Sequence, residues 1–185
     1  MFMQKLGRFV FETFQVIIFA VSIFLFIYLL IVQPHKIKGQ SMEPNYHDGE
    51  FLLTDKLSYR FGEPKRGDIV VFEPPGVEQD FIKRVVALPG EEVAIRDGHV
   101  FINGNQLDET YLKTGDSTPS GKFSRDNEPI RVPDDSYFLL GDNRHNSLDS
   151  RSFGFVHKNN FSGRAWFVYW PINNSGRLIN PEYNI

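Results

Sequence analysis

Cysteine is absent from the 185 residues. Without it no disulfide can staple the fold, no thiol can act as a nucleophile, and no thiolate can hold a metal. The lack does not fix a compartment; it means only that an oxidising one would do the chain no harm. A surplus of positive charge is missing too: 20 Lys and Arg face 23 Asp and Glu, for a net charge of −3. With Lys5, Arg8 and Glu12 of the N-terminus set aside, the remainder is more acidic still. Phosphate backbones call for a basic face, so no nucleic-acid partner is expected. The histidines His35, His47, His99, His145 and His157 are scattered, with no H-x-x-x-H spacing, so neither a metal nor another cofactor is expected. Internal repeats are lacking, and no long 3.6-residue period follows the N-terminal region.

One long apolar run is present. Val16 to Val32 contains Ser22 as its only polar residue. As a helix it reaches about 25 Å, which crosses a bilayer with slight thinning. A buried core helix would have a polar face and an amphipathic surface helix a charged one; the run has neither. Ala20-Val21-Ser22 has the small-x-small look of a signal-peptide cleavage site, but ten apolar residues follow it and Gln33-Pro34-His35-Lys36 offers none. An uncleaved single-pass anchor is therefore expected, with 1–15 as a cytoplasmic N-terminus, 16–32 in the bilayer and 33–185 as one domain. Lys5 and Arg8 mark the cytoplasmic side; His35, Lys36 and Lys38 weaken the contrast without reversing it, since long domains translocate largely regardless of charge. The domain is expected on the outer face of the cell membrane.

That domain reads as strands: Phe51–Thr54, Gly67–Phe72, Phe81–Leu88, Tyr137–Leu140 and Arg164–Trp170. Asp97-Gly98 joins Val93–Arg96 to His99–Ile102 as a hairpin, and Asn103-Gly104 marks a second turn. Tyr111 to Val132 is polar and rich in Gly, Ser, Asp and Pro, and is expected to be a surface insertion within about 105–135. The expected class is an all-β, barrel-like, mainly antiparallel domain on one N-terminal transmembrane helix.

Chemistry enters with Ile37-Lys38-Gly39-Gln40-Ser41-Met42-Glu43-Pro44. Ser41 beside Gly and Pro reads either as a turn serine or as a nucleophile. A nucleophilic serine needs a neutral base, and two are available. His145 lies among carboxylates in Gly141-Asp142-Asn143-Arg144-His145-Asn146-Ser147-Leu148-Asp149, which permits a triad with Asp142 or Asp149. The stretch around Ser41, however, lacks the second glycine of a nucleophile elbow. Lys83 is the other candidate. In a strand, Phe81, Lys83, Val85 and Ala87 share a face, so the ammonium stands on an apolar surface. Burial lowers a lysine pKa and can make the side chain a general base. A lysine that snorkels from an edge strand fits the same pattern. Arg84 points the other way and stays charged.

Three stretches taken together closely resemble the conserved boxes of type I signal peptidases. They are Gly39-Gln40-Ser41-Met42-Glu43-Pro44; Arg66-Gly67-Asp68-Ile69-Val70-Val71-Phe72 with Ile82-Lys83-Arg84-Val85 and Leu88-Pro89-Gly90-Glu91; and Gly141-Asp142-Asn143-Arg144 with Asn146-Ser147 and Asp149-Ser150-Arg151. They stand in that family's order behind an anchor, and the likeness runs to about Trp170. The short single anchor and small insertion look more like Gram-positive members than like the two-anchor type. The resemblance implies Ser41 as nucleophile and Lys83 as general base. It implies Ser147 as a hydroxyl that orients the lysine, Asp149 and Arg151 as a supporting ion pair, and Asp142 with Arg84 as a second pair. Ile37, Met42, Leu52, Val71, Phe81 and Ile82 fall where the family lines its substrate pockets. Secretory pre-proteins are the implied substrates, cut after an A-x-A-like site. Two positions depart from the pattern. Gly39 stands where some members carry a hydroxyl that assists the oxyanion, and His145 where some carry an acid. The rival classes are a membrane-tethered peptide-binding homologue with a dead site and a self-cleaving Ser/Lys regulator. Intact Ser41, Lys83, Ser147 and Asp149 argue against the first. The second needs a cleavable linker, which is not visible.

Overall fold

The computed structural model describes residues 2–178 and 180–185. Helix α1 spans Phe2–Leu30, and its 25-residue stretch Gln4–Tyr28 is long and apolar enough to cross a membrane. It extends well before the apolar run, because exposed polar residues tolerate the helix and Arg8 Nε pairs with Glu12 Oε1 one turn on, at 2.7 Å. It also ends earlier than expected. Val32, assigned to the span of 16–32, is the first residue of strand β1 (Val32–Lys36), where it pairs with Asp55.

The strands that follow are β2 (Phe51–Asp55), β3 (Ile69–Phe72), β4 (Phe81–Ala87), β5 (Glu92–Arg96), β6 (His99–Ile102), β7 (Asn105–Gln106), β8 (Ile130–Arg131), β9 (Ser136–Leu140), β10 (Val156–His157), β11 (Phe161–Trp170) and β12 (Gly176–Arg177). Two one-turn helices, α2 (Ser58–Phe61) and α3 (Ser150–Phe153), interrupt them. The larger sheet has the order β1-β2-β11-β3-β4-β9-β10, with β12 on β11; the smaller has the order β7-β6-β5-β8. The pairs are antiparallel throughout both sheets. This is the all-β, half-barrel architecture the patterning calls for. Strand β1 was not legible because Pro34 sits inside it. Pro34 is tolerated because β1 is an edge strand that, among the described residues, pairs with β2 alone.

The central strands are covered on both faces. Ile69 and Val71 join one buried cluster with Ile37, Met42 and Leu52; Val70 and Phe72 join another with Val85, Tyr137 and Leu139. This explains why Ile69–Phe72 is continuously apolar rather than alternating. Strand β4 carries a bulge: its register against β9 shifts between Val85 and Ala87. Ala87 therefore leaves the face of Phe81, Lys83 and Val85, and packs with Val86 into a third cluster under the small sheet. The hairpin turns follow the expectation, with Asp97, Gly98, Asn103 and Gly104 all at positive φ.

The stretch 111–132 is more than a surface insertion. Thr118, Ser124 and Val132 are buried, and Ile130–Arg131 adds β8 to the small sheet. Its polar atoms serve buried arginines: Arg151 Nη1 donates to Pro119 O at 3.1 Å, and Arg144 Nη1 bonds Thr118 Oγ1. Buried guanidinium groups need acceptors, and this polar segment supplies them.

Candidate active site

Ser41 lies just beyond β1, in a turn held from three sides. Gly39 takes φ +86° and donates its N–H to Asp48 Oδ1 at 2.7 Å. Met42 is fully buried in the core below. From the opposite wall, Asn143 N donates to Ser41 O at 3.0 Å and Asn143 Nδ2 to Gln40 O, also at 3.0 Å.

Lys83 comes from β4, which pairs with β3 along Phe81–Arg84 but with β9 only from Arg84 onward. The other edge of Phe81–Lys83 is thus free of a strand partner among the described residues. Lys83 is 3% exposed, and its Nζ donates to Ser41 Oγ at 2.8 Å and to Ile82 O at 2.8 Å. It also sits 5.2 Å from the Phe81 ring centre. Burial lowers its pKa from 10.5 to about 8, overcoming the upward pull of Asp149 and Asp142; Arg151 adds to the lowering. A serine hydroxyl and a lysine able to be neutral near physiological pH are in direct contact, which is the geometry of base-assisted nucleophilic attack.

Two buried ion pairs frame them. Arg84 Nε and Nη2 grip Asp142 at 2.8 and 2.6 Å. Arg151 Nε and Nη2 grip Asp149 at 2.8 and 2.7 Å, and Asp149 also accepts Gly141 N at 3.1 Å. Asp149 caps α3 by accepting Arg151 N. These forks are bidentate, so they fix geometry as well as charge. Because both carboxylates are taken by arginine, neither serves His145. That histidine is exposed, and its Nε2 lies 3.5 Å from Ser117 Oγ. The Ser41–His145 triad is not assembled.

Ser147 is close by but not bonded to Lys83. Its Oγ is buried and has no hydrogen-bond partner among the described residues. Gly141 shows how tightly it is set: a Cβ there would meet Ser147 Oγ at 2.2 Å and Ser41 O at 2.5 Å. Gly141 and Asn143 thus hold the site together, yet sequence reasoning gave neither a role. The signal available was the glycine directly before Asp142.

A groove of about 1020 Å³ opens over Ser41 and Lys83. Ile37, Leu52, Val71, Phe81 and Ile82 line it. Met42, expected to line it with these residues, does not: it is 0% exposed and belongs to the core beneath.

The family described as "Signal peptidase, peptidase S26" matches residues 10–170. The chain belongs to the signal peptidase family. Members are serine proteases, and removal of signal peptides is the activity that the family supports for this chain. Among relatives of this signal peptidase, "Probable signal peptidase I-2" of Synechocystis sp. is 39% identical over 156 residues, covering 81% of this chain and 68% of the relative. "Signal peptidase I" of Bacillus licheniformis is 37% identical over 167 residues, covering 88% and 90%. A crystal structure of signal peptidase I from Enterococcus faecalis V583 aligns at a TM-score of 0.47 with 35% identity, over 55% of this chain and 96% of that one.

Proposed function

We propose that this signal peptidase cuts pre-proteins with a Ser41–Lys83 dyad while anchored in the cell membrane by α1. The observation that carries the reading is the 2.8 Å contact between Lys83 Nζ and Ser41 Oγ, beside the free edge of Phe81–Lys83. An extended peptide adds to that edge by main-chain hydrogen bonds. Alternate side chains then face the wall, so small residues at −1 and −3 enter pockets formed by Ile37, Leu52, Val71, Phe81 and Ile82, while −2 points away.

Neutral Lys83 takes the Ser41 proton as Oγ attacks the carbonyl carbon of residue −1. The Ser41 backbone N–H is the donor assigned to the oxyanion. Gly39 brings no hydroxyl there, and its own N–H is already given to Asp48. As the tetrahedral intermediate collapses, the Lys83 ammonium gives its proton to the leaving amine, and an ester remains on Ser41. Water, deprotonated by the same lysine, attacks the ester and frees the signal peptide and Ser41. Ser147 Oγ, buried and without a partner among the described residues, receives a Lys83 N–H once Ser41 has lost its proton. The Asp149–Arg151 pair holds the loop that carries Ser147.

With α1 in the bilayer, the N-terminus is cytoplasmic and 33–185 is external. Enzyme and pre-protein then share one thin layer, which raises their effective concentration without new contacts. The test is cleavage of a signal-bearing pre-protein by the full chain in detergent micelles. Ser41→Ala and Lys83→Ala should each abolish it, and the double variant should be scarcely worse than either single one. Full activity in Lys83→Ala would overturn the dyad.

A further inference from the structure

One end of the groove is polar, and the proposed chemistry does not use it. Asp80, just before β4, lies three residues from Lys83, or about 10 Å along an extended chain. There it meets His35 of β1, with Nδ1 3.5 Å from Oδ2. Both residues line the groove. The His35 side chain is only 13% exposed, and its Nε2 is buried without a partner among the described residues. Asp80 also accepts a hydrogen bond from Ser162 Oγ of β11, at 3.3 Å on Oδ1. In the sheet, β2, β11 and β3 all intervene between β1 and β4. The contact is therefore a bridge from one wall of the groove to the other, not a pairing within a wall.

We infer that His35 and Asp80 are specificity-determining residues, whose bridge sets the width of the pocket for the side chain at −3 and narrows it when His35 is protonated. The inference rests on the peptidase reading above. The polypeptide leaves α1 at Leu30 and reaches His35 well before Ser41, so the His35 end of the groove is the end nearer the bilayer. A pre-protein whose apolar segment lies in the same bilayer enters from that end. Residue −1 sits at Ser41, and −3 lies about 7 Å upstream on the same face, next to His35 and Asp80. With His35 neutral, 3.5 Å is too long for a firm hydrogen bond. With His35 charged, the pair becomes a charge-assisted bond that favours close approach.

The charged groups facing His35 are Asp80 on the β4 side and Lys56 after β2. Its chain neighbour Lys36 is turned to the Phe51 ring, 5.5 Å from the ring centre. Burial pushes the His35 pKa below 6.5, Asp80 opposes this and Lys56 assists it. The bridge is therefore loose at neutral pH and tightens in acid.

The experiment puts two pre-proteins, identical except for Ala or Val at −3, in one reaction with the full chain in micelles. The ratio of their kcat/KM values is read by mass spectrometry from about pH 7.5 to about pH 5.5. Protonation of Lys83 slows both alike and cancels in the ratio. In the wild type the preference for Ala should rise about fivefold toward acid, the size expected when a neutral hydrogen bond becomes charged. In His35→Gln and Asp80→Asn the ratio should be flat. A flat wild-type ratio with both substrates cleaved overturns the bridge alone, as does a rise that survives in both variants. No cleavage of either substrate by a folded chain overturns the peptidase reading and the bridge with it.

Discussion

Replacing Lys83 by methionine should abolish cleavage and yet strengthen the fold near neutral pH. Methionine keeps the length of the stem and removes the charge. Lys83 has a folded pKa of about 8 against 10.5 for a free lysine. Between those values the unfolded chain binds the proton and the folded chain does not, so stability rises with pH across the window. Below it both states are protonated, and the full penalty of holding an ammonium in the core is present. At 1.36 kcal/mol per pKa unit, that penalty is about 3 kcal/mol. Methionine also gives up the bonds to Ser41 Oγ and Ile82 O, worth about 1 kcal/mol each. The variant should then be more stable than wild type by about 1 kcal/mol below the window, and less stable by about 2 kcal/mol above it. The assay is urea unfolding of both full chains in identical micelles, followed by Trp166 and Trp170 fluorescence from about pH 7 to about pH 11. Other titrations are common to the two chains and cancel in the difference. Stability curves that stay parallel through the window would refute the claim that burial tunes this lysine.

Three further outcomes are expected. Val85→Ser, at a fully buried position on the Lys83 face, should admit water, raise the Lys83 pKa and move the acidic limb of kcat/KM upward from about 8; an unmoved limb in a folded variant would leave Ser147 and its neighbours as the tuning groups. Gly141→Ala drives a methyl into Ser147 Oγ and the Ser41 carbonyl, so kcat should fall about 100-fold, the size of effect that a 1 Å misplacement produces, while circular dichroism stays unchanged. Protease added outside spheroplasts should digest 33–185; protection until the membrane is opened would reverse the orientation.

The lysine was legible because its neighbours in sequence are its neighbours in space. Alternation along Phe81–Val85 alone sets an amine on an apolar face. The bulge before Ala87 was not legible, since it arises from pairing with β9, about 50 residues on. Ser41 and Lys83 could be paired only through the order of the motifs, because nothing local in either stretch points to the other. The rival base His145 lost its place to a fact of partnership: Arg84 and Arg151 claim both carboxylates more closely than a loop histidine can. The polar stretch 111–132 misled for a related reason. Composition marks it as surface, but Tyr111 packs against the Arg84 guanidinium at 4.1 Å, and Pro119 and Thr118 bond Arg151 and Arg144. Polarity there reflects buried charges to be satisfied, not water to be met.

Only Ile31 separates the end of α1 from the start of β1, and Lys56 N bonds Ile31 O at 2.9 Å. With α1 in the bilayer as proposed, the enzyme has almost no slack between its membrane helix and the start of its sheet. The stretch from Leu30 to Ser41 spans at most about 37 Å even when fully extended, and that distance caps how far Ser41 stands from the end of α1. A pre-protein must cover the same height with its own chain, at about 3.4 Å per extended residue. The distance from the apolar segment to the cut is then limited to about eleven extended residues. A leader with a longer polar stretch would have to loop outward to be cut. The stiff junction acts as a spacer gauge, testing the length of a leader independently of the residues at its cleavage site.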